Sequence, residues 1–172
     1  MRRLAILSLS VLALAVPALA ATPAASPPRP PARIDYPGFE QLAAEVAPYR
    51  AQRLVRLAAF NEMARQRGAL LLDARSADAY RRGHIRGAIN LPLTDFTAPR
   101  LAEVIGADTN RRILIYCNNN FAGDVEPVRT KMIRLALNIS TFINLYGYGY
   151  RNVFELADTV AMDDPAVGWV SG

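Results

Sequence analysis

The sequence predicts an α/β domain built on a parallel sheet, with helices on both faces, on two observations. Four short runs, 69–74, 88–91, 112–116 and 152–156, are apolar over most of their length, as strands are when they are covered on both faces. Between them lie stretches with apolar residues at helical spacing, closed by glycine or proline. Helices that alternate with short buried strands belong to this class.

The chain begins with a basic Met1-Arg2-Arg3, an apolar run from Leu4 to Val16, and the small-residue site Ala18-Leu19-Ala20. That three-part pattern predicts a cleaved secretory signal peptide over 1–20, with cleavage near Ala20/Ala21 and a periplasmic or secreted product. The apolar run is shorter than the roughly 20 residues a membrane helix needs, so no stable span is expected after processing. Residues 21–34, rich in Pro and Ala, read as an extended linker, and 35–172 as the folded domain.

Within that domain, 38–48 predicts a short helix ended by Pro48, 53–57 a short strand, and 58–67 a helix stopped at Gly68. The run 69–74 is the strongest strand. Ser76 caps a brief helix through Tyr80, 88–91 is a strand stopped by Pro92, and 97–105 is a helix ended by Gly106. The strand 112–116 runs directly into Cys117. About twenty residues without clear periodicity follow, then a helix from about Asn138 to Tyr146 and a last strand at 152–156.

Charge narrows the function. The full chain carries +5. Losing the signal removes two arginines and no acid, and the linker holds two more, so the domain itself is nearly neutral. Without a basic stripe, nucleic-acid binding has no support.

Cys117 is the sole cysteine, so no internal disulfide can form. In open parallel sheets, ligands bind beyond the carboxyl ends of the strands, and Cys117 stands at such an end. A loop of backbone N–H groups there can surround a negative sulfur. Position alone leaves a small buried hydrophobe as an equal alternative.

The segments Leu71-Leu72-Asp73-Ala74-Arg75, Gly83-His84-Ile85-Arg86-Gly87-Ala88-Ile89-Asn90-Leu91-Pro92, the strand ending in Cys117, and Gly149-Tyr150-Arg151-Asn152-Val153-Phe154-Glu155-Leu156 resemble the rhodanese-like family in order and spacing. The resemblance covers about residues 50–160. It implies a single rhodanese-like domain with about five parallel strands, whose cysteine carries a sulfane sulfur as a persulfide. The implied reaction moves that sulfur from a small donor such as thiosulfate to a thiol or cyanide-type acceptor, with a thiolate needed at both steps. No cofactor and no metal are expected.

One departure is large. Family members have about six residues between the cysteine and the next helix, whereas here Asn118 to Thr130 intervene before any clear helix. Asn118, Asn119, Asn120, Phe121 and Gly123 are expected to form the anion-binding loop, with Arg129 as the nearest cation and Asp124 and Glu126 turned away. Such a cradle would activate the thiol, giving fast alkylation near neutral pH. Asp73, Arg75 and His84 are expected in support: the first two as an ion pair, His84 mainly as part of a turn.

Rival chemistries lack their residues. Related phosphatases clamp an oxyanion with an arginine six positions after the cysteine, where this chain has Gly123. Thioredoxin-like exchange needs a second cysteine three residues on, and one Cys with one His is too few ligands for a metal or haem. The runner-up is an inactive module that binds an envelope protein or small anion through the loop and the Tyr146-Gly147-Tyr148-Gly149-Tyr150 surface, whose tyrosines otherwise pack. Asn138-Ile-Ser matches a glycosylation acceptor, but Asn138 reads as a helix cap.

Overall fold

The computed structural model describes residues 31–172; the signal peptide read at 1–20 and most of the linker lie outside the described residues. Five helices and seven strands follow in order: α1 (Tyr36–Ala51), β1 (Leu54–Val55), α2 (Leu57–Arg65), β2 (Leu70–Asp73), α3 (Ala77–Arg82), β3 (Gly83–Ile85), β4 (Ile89–Asn90), α4 (Ala98–Ile105), β5 (Ile113–Tyr116), α5 (Leu137–Gly147), β6 (Val153–Leu156) and β7 (Trp169–Ser171).

Five strands make one wholly parallel sheet in the order β1-β6-β5-β2-β4. Alternation along the central strands builds a core on each face. Leu70, Leu72, Ile113, Ile115 and Val153 point into one core with Val46 of α1, Leu101 and Ile105 of α4, and Phe142 and Leu145 of α5. Leu71, Leu114, Tyr116 and Leu156 point into the other, with Phe60 of α2, Phe121, Val160 and Val167. Every residue of β2 and β5 is buried, which is why Leu70 to Leu72 and Ile113 to Tyr116 read as unbroken apolar runs.

Two expectations need correction. Pro48 does not end the first helix, which continues to Ala51 with the proline inside it. The last turn is held from outside: the Tyr49 hydroxyl donates to Arg151 O at 2.6 Å, and Arg50 forks onto Glu155. These contacts offset the one backbone bond that proline forfeits. The sequence also gave no sign of an antiparallel ribbon of β3 with β7 beside the main sheet. Its strands are three residues each, too short for a periodicity. Gly83 is required there because a Cβ would lie 2.5 Å from the Trp169 ring.

Candidate active site

β5 ends at Tyr116, and Cys117 follows at the carboxyl edge of the sheet between β6 and β2. Cys117 is buried, at 1% exposure. A short 3-10 turn, Asn118–Asn120, turns the chain away directly after it.

Asn120 fixes the cysteine. Its Oδ1 accepts from the Cys117 backbone N–H at 2.9 Å and from Asn138 Nδ2 at 3.1 Å. Its Nδ2 donates to Leu156 O at 2.8 Å and Asp158 O at 3.0 Å. One buried amide thus joins the end of β5, the start of α5 and the end of β6.

The other two asparagines serve the loop. Asn118 Nδ2 donates to Arg129 O, while Asn119 exchanges two bonds with the Lys131 backbone. They zip the far limb of the long loop against the 3-10 turn, so the chain leaves after the core residue Phe121, is anchored once more by buried Val128, and returns to the cysteine at the beginning of α5. The helix that the family resemblance calls for is therefore present next to the thiol, with an excursion inserted before it.

Burial pushes the Cys117 thiol above its ordinary value. The backbone N–H groups of Asn138, Asn119 and Leu137 pull the other way by favouring the thiolate, and the Glu155 carboxylate adds to the rise. The net direction is upward, opposite to the activated thiol expected from sequence. Desolvation outweighs the amides.

The cradle differs from the expected one in its second half. Asn119 contributes an amide, but its partners are Leu137 and Asn138 at the α5 N-terminus, not Phe121 or Gly123. Phe121 packs edge-on against Tyr116 and Trp169, with ring centroids 5.9 and 4.9 Å away. Gly123 is exposed and adopts a positive φ of 97° that turns the outer loop. Arg129 does not swing inward, because its guanidinium binds Asp124 O at 2.7 Å and Glu126 at 3.4 Å. Asp124 and Glu126 are exposed, and the carboxylate that acts on the sulfur comes from β6.

Asp73 and Arg75 form a buried ion pair, Nη2 to Oδ2 at 2.6 Å. The Tyr116 hydroxyl donates to the same oxygen at 2.7 Å and accepts from Ile85 N–H, and burial beside Asp73 holds its pKa well above the usual phenol value. Arg75 also reaches Gly83 O at 2.7 Å. With Ser76, Asn118 and Lys131 it lines a separate cavity of about 430 Å³, which Cys117 does not border. His84 stacks on Tyr80 and bonds Tyr80 O, away from the sulfur. Tyr146 and Tyr150 are buried packing residues, and Tyr148 is partly exposed.

Cys117 borders a second cavity, of about 420 Å³, between α1, β6 and α5. Leu54, Ile133, Ala136, Ile139, Leu156 and Ala157 supply its apolar walls, and Arg50, Glu155, Asn119, Asn120 and Asn138 its polar groups. Sequence reasoning missed Arg50, Glu155 and the amides that open α5. Asn138 is not the helix cap, a position held by Ala136; it is buried inside the first turn. Glu155 alone left a trace, as the one charged residue in an otherwise apolar strand.

The sequence matches the rhodanese-like domain family over residues 57–158. The chain belongs to the rhodanese-like family. Among solved structures it is similar to a rhodanese with anions from E. coli, at 26% identity over 60% of this chain and 99% of that one, with a TM-score of 0.40. It is also similar to the Alr3790 protein from Anabaena sp. (24%, covering 59% and 68%, TM-score 0.42) and the BH2092 protein from Bacillus halodurans (18%, covering 69% and 76%, TM-score 0.46). No curated protein matches the chain. The rhodanese-like match runs from the first residue of α2 to just past β6, so Arg50 of the cavity lies outside it, on α1.

Proposed function

We propose that this rhodanese-like protein is an exported sulfurtransferase or sulfur carrier that forms a persulfide on Cys117. One observation carries the reading: the sole thiol stands at the carboxyl end of the central strand with the amides of Asn119, Leu137 and Asn138 about it. Those amides favour negative charge on sulfur, which both half-reactions require. The Cys117 thiolate attacks the outer sulfur of a donor, and the donor's S–S bond breaks. Its electron pair leaves with the remainder, sulfite in the case of thiosulfate. An acceptor thiolate then attacks the outer persulfide sulfur, and the electron pair of the breaking S–S bond returns to Cys117.

The test is mass spectrometry of the purified chain after exposure to polysulfide or thiosulfate. A gain of one sulfur on the wild type and none on Cys117→Ser is expected. No gain with either donor would replace the carrier by a binding module. That second reading has its own support in Met132, Ile133 and Leu135, three large apolar side chains 68–82% exposed on the loop. The envelope location rests on the signal-like start, and N-terminal sequencing of exported protein beginning near Ala21 is the matching observation.

A further inference from the structure

The walls of the Cys117 cavity carry one cation and one carboxylate among their lining residues. Arg50 is the one cation among the lining residues, and it is already engaged. Its Nε and Nη2 contact the two Glu155 oxygens at 2.6 and 2.5 Å, a bidentate pair that leaves no net positive charge. Of the loop cations, Arg129 is bound to Glu126 and Asp124 O, Lys131 lines the neighbouring cavity, and Arg134 is exposed and not among the lining residues. Once Cys117 carries a persulfide anion, the cavity is negative overall.

A second observation points the same way. Asn138 lines the cavity and is 3% exposed, and its Oδ1 has no hydrogen-bond partner among the described residues. Its Nδ2 is committed to Asn120, so the free group is an acceptor. Buried acceptors left unpaired are costly, by about 1–3 kcal/mol, and an N–H donor would complete this one. Asn138 Oδ1 thus stands as an acceptor without a donor, while the backbone N–H groups of Asn119, Leu137 and Asn138 act on the sulfur itself.

We propose that the cavity selects small aminothiols, thiols whose neighbouring group is a protonated amine, and discriminates against thiols bearing an anion. The ammonium is placed between Glu155 and Asn138 Oδ1 while the sulfur meets Cys117. In transfer, the aminothiol sulfur bonds to the outer persulfide sulfur and the Sγ–S bond breaks. Cys117 keeps that electron pair as thiolate, and the thiol proton ends on the product persulfide. This assignment rests on the persulfide reading only for the transfer step; the selectivity belongs to the cavity.

Two rate series test it on the purified chain. The free thiol is treated with methanethiosulfonates bearing aminoethyl, methyl or sulfonatoethyl groups, each rate divided by that with a simple thiol. The persulfide is then offered cysteamine, mercaptoethanol and mercaptoacetate at matched thiolate concentration. The cationic reagent should exceed the anionic one about tenfold or more in both series, as a charge a few ångströms from a buried carboxylate implies. Glu155→Gln, which leaves Arg50 uncompensated, should reverse the order, and Asn138→Ala should shrink the cationic advantage without reversing it. Equal rates, or an anionic preference, in the wild-type methanethiosulfonate series would overturn the proposal. If that series shows the cationic preference but no persulfide forms, the sulfur-carrier reading fails and the selectivity stands.

Discussion

At the scale of single residues, the thiol is governed by a contest between burial and amides. Burial wins, so Cys117 titrates above an ordinary thiol, and its reactivity should climb with pH past the reference value of about 8.5. An iodoacetamide rate–pH curve centred at or below that value would contradict the geometry. The same contest makes Asn120 more than filler. Asn120→Ala strands the Cys117 N–H, the carbonyls of Leu156 and Asp158, and Asn138 Nδ2. With unpaired buried groups costing about 1–3 kcal/mol each, partly relieved by relaxation, a stability loss on the order of 3 kcal/mol is expected in urea unfolding. Persulfide formation should fall with it, and a loss below 1 kcal/mol would remove Asn120 from its central place.

At the scale of elements, the two central strands were legible because each is a local, wholly buried run: Leu70 to Asp73 and Ile113 to Tyr116 announce themselves in four residues. What joins elements was not legible. Arg50 and Glu155 stand 105 positions apart, and no local pattern links an arginine late in α1 to a glutamate in β6. Asn138 was visible but carried the wrong meaning, since an asparagine near a helix start is usually a cap. The β3–β7 ribbon escaped for the same reason: its evidence is the fit of Gly83 under Trp169, a contact between distant segments. That fit makes a prediction. Gly83→Ala should destabilise by about 1–3 kcal/mol through overpacking, its backbone being extended and unstrained. Adding Trp169→Leu should cost less than the two changes separately, because residues in contact do not add. Strict additivity in a double-mutant cycle would show that the ring does not set the limit.

At the scale of the whole molecule, several groups respond to alkali in one direction. Cys117, Tyr116 and Tyr150 all have folded pKa values raised chiefly by burial. For such acids the folded state favours the neutral form, so stability is complete below the unfolded values of about 8.5 and 10 and is lost as pH rises through the folded ones. Melting temperature should therefore decline above about pH 8.5, and Cys117→Ala should flatten the first part of that decline. A melting temperature independent of pH between 8 and 10 would argue against burial of these groups. Residues Asp35–Gly172 form one compact unit by themselves. A chain beginning at Asp35 should accordingly melt within a few degrees of the longer one.

Trp169 is the only tryptophan in the chain, and its surroundings give it a use as an optical reporter. The Arg75 guanidinium lies 5.5 Å from its ring, and Phe121, four residues beyond the thiol, meets it edge-on. Intrinsic fluorescence excited at that one indole thus reads the segment that leaves Cys117, without any label. A change in emission when sulfur is loaded would time the motion of the outer loop against the chemistry, and unchanged emission would mean that the loop stays in place while sulfur passes beside it.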